Sequence, residues 1–124
     1  MIVLQIIVTI TGFIATVISA IVVCGLCVIA DLLRVPDGPY APYDPAPRWF
    51  SKGLLPFAGV RVVVHGGELI RDAAPHVFVA NHLSWFDIPA IASILKRGKF
   101  VAKAEVFKCP LFGSAMAAAW MIAL

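Results

Sequence analysis

The sequence predicts an α/β protein in which an N-terminal transmembrane helix is followed by a partial α/β domain. Residues 2–30 carry no charged side chain, although 14% of the whole chain is charged. From Arg48 onward, short apolar runs alternate with segments of helical composition, a pattern typical of a sheet flanked by helices. A proline-rich stretch separates the two parts. We therefore divide the chain into an anchor (1–33), a linker (34–47) and a domain (48–124).

The composition makes a membrane the first expected partner. Of the 124 residues, 61% are hydrophobic, which is more than an ordinary soluble domain contains. The uncharged segment exceeds the roughly 20 residues that a helix needs to cross a bilayer. A cleaved signal peptide is the alternative, but no basic residue precedes the segment. Arg34, Arg48 and Lys52 follow it, which places the C-terminal part on the cytoplasmic side.

Charge and cysteine usage narrow the function classes. The net charge of +3 in so apolar a chain favours contact with anionic lipid head groups over binding to nucleic acid. Cys24 and Cys27 form a C-x-x-C within the apolar segment, without a second ligand pair, and Cys109 stands alone. They are interpreted as small packing residues, so we expect neither a metal site nor a disulfide framework.

The linker and the domain elements follow from local signals. Five prolines within residues 36–47 exclude a helix or a central strand and predict an extended linker. Asp87 and Pro89 suit the first turn of a helix, and Gly66-Gly67 ends a strand. The predicted helices are Trp49–Phe57, Asp87–Leu95 and Pro110–Ala119, and the predicted strands are Arg61–His65, Val77–Ala80, Phe100–Lys103 and Trp120–Leu124.

A histidine and an aspartate five positions apart are the strongest chemical signal. His82 follows the apolar run Val77–Ala80, and Asp87 opens the next predicted helix. A turn between them can bring the imidazole to the carboxylate. Such a pair is a general base with an orienting partner, and the base needs no protein nucleophile if the attacking hydroxyl belongs to the substrate. By spacing alone, a structural histidine is the default alternative.

The residues around this pair resemble a known family. Asn81-His82-Leu83-Ser84-Trp85-Phe86-Asp87 resembles the H-x4-D block of the glycerolipid acyltransferases, the family of 1-acyl-glycerol-3-phosphate acyltransferases. The resemblance covers residues 60–124, the N-terminal half of such an enzyme. Further stretches that resemble the family, in the same order, are Val64–Glu68, Phe100–Glu105 and Pro110–Gly113.

The resemblance implies transfer of a fatty acyl group from acyl-CoA or acyl-carrier protein to the free hydroxyl of a lysophospholipid. The acceptor would be lysophosphatidic acid and the product phosphatidic acid, in phospholipid biosynthesis. On this interpretation His82 is the general base and Asp87 orients it, with no metal and no cofactor beyond the acyl donor. Lys103 would face the acceptor phosphate, its alternative being a solvated lysine at a strand end. The motif-loop residues Asn81, Ser84 and Trp85 would shape the loop only.

The match is incomplete at its C-terminal side. The family's later Phe-Pro-Glu-Gly-Thr-Arg type block, which helps to bind the glycerol phosphate, does not occur before Leu124. We therefore expect a fragment or a truncated homologue with an exposed sheet edge. A non-catalytic membrane homologue and an acyltransferase for another lyso-lipid, such as lyso-ornithine lipid, are the alternatives. Residues expected to attract anionic lipid, or else to be ordinary surface charges, are Lys96, Arg97, Lys99 and Lys108.

Overall fold

The computed structural model describes residues 1–70 and 75–124. This part of the chain contains an apolar helix and a domain of mixed helices with a small sheet. Two 3-10 segments, Gly67–Leu69 and Ala104–Lys108, complete the regular structure. The α-helices are α1 (Ile2–Leu32), α2 (Ala46–Leu54), α3 (Asp87–Ile94) and α4 (Phe112–Ala118), and the strands are β1 (Val101–Ala102) and β2 (Ile122–Ala123).

The predicted sheet is only partly present. β1 and β2 pair in parallel, Val101 with Ile122, within the predicted strands at residues 100–103 and 120–124. The predicted strands Arg61–His65 and Val77–Ala80 are wrong for the described residues, where both segments lie outside any ladder. A strand requires a partner backbone, and the apolar side chains here face outward: Val77 is 91% exposed. The described residues agree with the predicted fold class in that they combine helices with a small sheet.

The apolar helix packs along the domain through its small residues. Helix α1 has 31 residues, and its length and composition are sufficient to cross a membrane. One face, which includes Gly12, Cys24, Cys27 and Ala30, is buried. The opposite face carries long aliphatic side chains that remain exposed. The domain side of this contact comes from the segment around Tyr43, helix α2 and helix α4.

The proline-rich stretch is not the extended linker that the sequence predicts. Residues 37–45 form bends and turns that fold back onto the C-terminal half of α1. Tyr43 is 1% exposed, and its hydroxyl donates a hydrogen bond to the carbonyl of Val35 at 3.0 Å. Ala41 and Asp44 are buried beside it. The prolines exclude regular structure, as expected, but the turns still bury apolar side chains against α1. The boundary of the linker at residues 34–47 remains a prediction about domain organisation.

A buried carboxylate fixes this segment to the turn after α3. Asp44 is 8% exposed, and its Oδ1 accepts a hydrogen bond from Lys99 Nζ at 2.7 Å, while Oδ2 pairs with Arg97. Lys99 Nζ also donates to the carbonyl of Ala119 at 2.9 Å. Two of the four basic residues expected to attract lipid therefore serve an internal ion-pair cluster. The cluster joins three parts of the chain that are distant in sequence.

Replacing Asp44 should destabilise the domain in a pH-dependent way. Burial alone would raise the pKa of Asp44, but hydrogen bonds from Lys99 and Arg97 outweigh it and lower that pKa. Because the pKa of Asp44 is lower in the folded chain than the unfolded value of about 3.9, the ionised carboxylate stabilises the fold above that pH. This stabilisation is lost as the pH falls through the pKa of the folded state. We expect Asp44→Ala to cost about 1–3 kcal/mol at pH 7, because it leaves Lys99 without its closest acceptor.

Thermal unfolding in detergent between pH 3 and pH 7 measures this effect. The parent chain should lose stability below about pH 4, and Asp44→Asn should show a smaller loss over the same interval because it has no proton to bind. Equal pH dependence of the two chains would assign the acid sensitivity to other carboxylates. Asp37, which lies 3.6 Å from Lys99 Nζ and is more exposed, provides the matched control as Asp37→Asn.

Candidate active site

The structure brings His82 and Asp87 together. The Nδ1 atom of His82 lies 3.3 Å from Oδ2 of Asp87, across the loop that leads into α3. The His82 side chain is 60% exposed, whereas that of Asp87 is 32% exposed. If the Nδ1 proton is directed at the carboxylate, the Nε2 lone pair faces away from the loop and is available to a substrate. This is the geometry that a general base and its orienting carboxylate require.

Asp87 also organises the loop itself. Its Oδ2 atom accepts hydrogen bonds from the backbone N–H groups of Leu83 and Ser84, both at 2.7 Å. Ser84 Oγ in turn accepts from the N–H of Phe86 at 3.2 Å. Asp87 therefore reaches back to the N–H of the residue three positions earlier, as the acidic residue of a capping box does, whereas the hydroxyl of Ser84 accepts from Phe86 and not from Asp87. One oxygen of Asp87 thus serves both the loop and the imidazole.

These hydrogen bonds keep Asp87 ionised. The backbone N–H groups of Ser84 and Leu83 lower the pKa of Asp87, and His82 adds a smaller effect in the same direction. The carboxylate therefore retains its charge throughout the neutral range, where an imidazole exchanges protons. A negative charge is also favourable in the first turn of α3 because of the helix dipole. The charge that stabilises an imidazolium at His82 is present before any proton transfer.

Two substitutions at Asp87 should separate its structural role from its electrostatic role. Asp87→Asn keeps an oxygen that accepts from Leu83 and Ser84 but removes the charge, whereas Asp87→Ala removes both. We expect Asp87→Ala to lower the unfolding free energy by about 0.5–1.5 kcal/mol, because the N–H groups of Leu83 and Ser84 lose their acceptor, and Asp87→Asn to cost less.

Thermal unfolding should be measured on both variants, together with the acyl transfer that the family resemblance implies. Both should lose activity, because neither presents a carboxylate to His82. An Asp87→Asn variant with full activity would show that the charge is dispensable, and the residue would then only hold the loop. The prediction for stability would be contradicted if the two variants unfolded at the same temperature.

The remaining predicted site residues have different positions. Trp85 and Asn81 are exposed in the loop, with Trp85 at 93%, while the backbone N–H of Ser84 donates to Asp87 and its hydroxyl accepts from Phe86. Lys103 is exposed and precedes the 3-10 segment Ala104–Lys108. In the described part of the chain, no hydrogen bond or ion pair joins Lys103 to His82 or Asp87. Among the described residues, no three potential metal ligands come together.

An apolar groove next to the loop was not predicted from the sequence. The groove has a volume of about 520 Å³ and lies between the N-terminal half of α1 and the segment after α2. Phe86, the residue before Asp87, contributes to its wall. No local sequence pattern indicates a groove between elements that are some 45 positions apart, because the groove forms only when α1 packs on the domain. Its lining residues include Val8, Gly12, Phe13, Leu54, Phe57 and Phe86.

Comparison with known proteins places the chain in a family. The model of the Acyltransferase family matches residues 61–124, which is about half of the chain and contains the loop from His82 to Asp87. The chain belongs to the acyltransferase family. The matched segment begins after α2, so α1 and the turns around Tyr43 lie outside it.

Curated relatives agree with the family match. A chloroplastic 1-acyl-sn-glycerol-3-phosphate acyltransferase of Arabidopsis thaliana is 35% identical over 72 residues, which are 57% of this chain and 20% of the relative. A lyso-ornithine lipid O-acyltransferase of Rhizobium meliloti (strain 1021) is 42% identical over 67 residues, 54% of this chain and 22% of the relative. The matched region is thus about a fifth of either relative's length. No solved structure shows significant similarity to the chain.

Proposed function

We propose that the chain carries the base and the orienting carboxylate for transfer of a fatty acyl group to the free hydroxyl of a lyso-lipid. The observation that carries this proposal is the 3.3 Å approach of His82 Nδ1 to Asp87 Oδ2 within the segment that matches the acyltransferase family. The acyl donor is a thioester, acyl-CoA or acyl-carrier protein. Membrane lipids supply the acceptor, and the domain works on the cytoplasmic side.

The proposed reaction balances with His82 as the proton carrier. His82 Nε2 takes the proton from the acceptor hydroxyl as the oxygen attacks the thioester carbonyl. The C–O bond forms, the C–S bond breaks, and the imidazolium returns its proton to the departing thiolate. Asp87 holds the ring in the required tautomer and stabilises the positive charge between the two steps. The reaction needs no metal for proton transfer.

The apolar groove beside the loop supports an acyl substrate. A hydrocarbon chain needs a contiguous apolar surface next to the reacting group, and Phe86 joins the groove wall to the loop that holds His82. The groove is built partly from α1, so a chain bound there would remain close to the membrane helix. We propose that the fatty acyl tail occupies this groove during transfer.

Two acceptor classes follow from the two relatives. The Arabidopsis relative is named for 1-acyl-sn-glycerol-3-phosphate and the Rhizobium relative for lyso-ornithine lipid. We propose lysophosphatidic acid as the acceptor, with Lys103 as the cation that binds its phosphate. The higher identity to the Rhizobium relative favours lyso-ornithine lipid as the second candidate.

An acceptor panel distinguishes these candidates. The chain in liposomes receives acyl-CoA with either lysophosphatidic acid or lyso-ornithine lipid, and release of free thiol is followed beside Lys103→Ala. A rate that rises with lysophosphatidic acid and falls in Lys103→Ala supports the phosphate acceptor. A preference for lyso-ornithine lipid that Lys103→Ala leaves unchanged supports the second candidate. Thiol release that neither acceptor stimulates favours a non-catalytic homologue.

A further inference from the structure

A second cavity lies at the other end of α1 from the groove beside the His82 loop. It has a volume of about 430 Å³, and Asp31 in the last turn of α1 faces it together with Trp120, which follows α4. The groove contacts α1 between Val8 and Thr16, so about 22 Å of helix separates it from Asp31. The rest of the cavity wall consists of small residues of α4, which are Ser114, Ala117 and Ala118.

Trp120 has a backbone conformation that favours glycine. Its φ angle is 59°, and α4 ends there in a Schellman motif. The N–H of Met121 donates to the carbonyl of Met116, and the N–H of Trp120 donates to the carbonyl of Ala117, both at 3.0 Å. Glycine usually takes this position, because a side chain raises the energy of the left-handed region. The indole is 67% exposed, so burial does not compensate for the strain, which points to a function for the indole in the cavity.

Asp31 is a second unfavourable residue at the same cavity. A carboxylate in the last turn of a helix meets the negative end of the helix dipole, and α1 has no basic residue in that turn. Lys99 is held by Asp44 and Asp37, and Arg34 forms no ion pair with Asp31 among the described residues. In the part of the chain that the structure describes, the Asp31 carboxylate thus has neither an ion pair nor a hydrogen bond.

These features together suit a primary ammonium group. The face of an indole attracts cations more strongly than the other aromatic rings do. The carboxylate of Asp31 and the hydroxyl of Ser114 are acceptors for N–H donors, and a quaternary ammonium would leave them unused. Both α1 and α4 end at the cavity, so the negative ends of two helix dipoles add to the charge of Asp31. The same charges oppose the binding of an anion such as phosphate.

We propose that this cavity binds a primary alkylammonium ion, with the ammonium group between the Asp31 carboxylate and the indole of Trp120. The cation is the amino head group of a lipid or a free amine, which present the same chemistry to the cavity. The site lies too far along α1 from the groove at the His82 loop to hold the reacting acceptor. The proposal is therefore independent of acyl transfer, and failure of either leaves the other standing.

The fluorescence of Trp120 measures this binding directly. In a chain with Trp49→Phe and Trp85→Phe, both at exposed positions, Trp120 is the remaining one of the three tryptophans. The chain in a non-ionic detergent is titrated with n-butylammonium chloride, and sodium chloride and n-butanol control for ionic strength and for the alkyl group. We expect a saturable change that neither control produces. Half-saturation should require a roughly tenfold higher concentration in Asp31→Asn, whereas Asp37→Asn should titrate like the parent chain.

Trp120→Gly separates the role of the indole from the stability of the fold. Glycine adopts a φ of 59° without strain, so this variant should unfold at the temperature of the parent chain or above it. A ligand that binds the folded state raises the unfolding temperature. Butylammonium should therefore raise that temperature for the parent chain, relative to equal sodium chloride, and leave Trp120→Gly unchanged. An equal rise in both chains, or equal titrations of the parent chain and Asp31→Asn, would overturn the proposal.

Nanodiscs distinguish the two sources of the cation. The chain with Trp120 as its single tryptophan is placed in phosphatidylcholine, with or without phosphatidylethanolamine, whose head group is a primary ammonium. A change in emission with phosphatidylethanolamine, to which butylammonium adds nothing, identifies a lipid head group as the ligand. An equal response to butylammonium in both nanodiscs identifies a soluble amine. A folded chain that responds to neither cation would overturn the proposal.

Discussion

Replacing His82 with alanine should lower the rate of acyl transfer by about 10²–10⁴, the usual contribution of a positioned general base. The loop should survive the change, because Asp87 holds the backbone of Leu83 and Ser84 without the imidazole. The loss should therefore appear in the rate of the chemical step, with little change in thermal stability or in binding to membranes. Thiol release from acyl-CoA in the presence of acceptor measures the rate.

His65→Ala is the matched control for this experiment. His65 is another exposed histidine within the family match and lies before the Gly66-Gly67 turn, outside the loop of His82. We expect this variant to keep the activity of the parent chain. An His82→Ala variant as active as His65→Ala would remove His82 from the role of base.

Gly113→Ala should be among the most destabilising single-methyl changes in the chain. A Cβ at this position of α4 would overlap the carbonyl group of Phe107 and come within 3.0 Å of its Cα. These are backbone atoms of the 3-10 segment Ala104–Lys108, so no side-chain rotation relieves the clash. The substitution should force α4 away from this segment and lower the free energy of unfolding by about 1–3 kcal/mol, the range for overpacked sites. We expect a loss near the upper end of this range. Thermal unfolding in detergent measures the loss.

Gly98→Ala controls for the loss of glycine itself. A Cβ at Gly98 meets only the Cδ1 atom of Leu95, at the ordinary contact distance of 3.5 Å. We expect this variant to unfold within about 0.5 kcal/mol of the parent chain, as surface substitutions usually do. A Gly113→Ala variant as stable as Gly98→Ala would contradict the packing of α4 on the backbone of Phe107.

The helices were predictable because their signals are local. The uncharged run predicted α1, the acidic residue and proline of Asp87-Ile88-Pro89 predicted the start of α3, and the segment Pro110–Ala119 was predicted as the helix that α4 forms. Each signal acts within a turn or two of the residue that carries it. Helix α2 begins at Ala46, three residues before the predicted start, because Pro47 is accommodated in its first turn.

The strands were less predictable because they depend on distant partners. Residues 61–65 and 77–80 have the apolar, β-branched composition of strands, yet neither segment pairs with another strand in the described part of the chain. β1 and β2 pair with each other, and they are the two predicted strands that form among residues 1–70 and 75–124. The turns around Tyr43 also depend on distant contacts, since Asp44 gains its partners Arg97 and Lys99 only in the folded chain.

The candidate site was predictable in its residues but not in all their roles. The spacing of His82 and Asp87, with the resemblance of the loop, anticipated the approach of imidazole and carboxylate. The bond from the backbone N–H of Ser84 to Asp87 could have been read from Ser84-x-x-Asp87, because an acidic residue at this spacing can reach back to that N–H. The groove at Phe86 was inaccessible to sequence reasoning, because it lies between α1 and a segment that meet only in three dimensions.

The esterified lipid itself is the most direct test of the proposed chemistry. The chain is reconstituted in liposomes with acyl-CoA and either lysophosphatidic acid or lyso-ornithine lipid, and the lipid extract is analysed by mass spectrometry beside that from His82→Ala. We predict a diacyl product that requires the donor, the acceptor and His82. A folded, membrane-bound chain that yields no more of this product, or of acylated lyso-ornithine lipid, than His82→Ala does would contradict acyl transfer by this site.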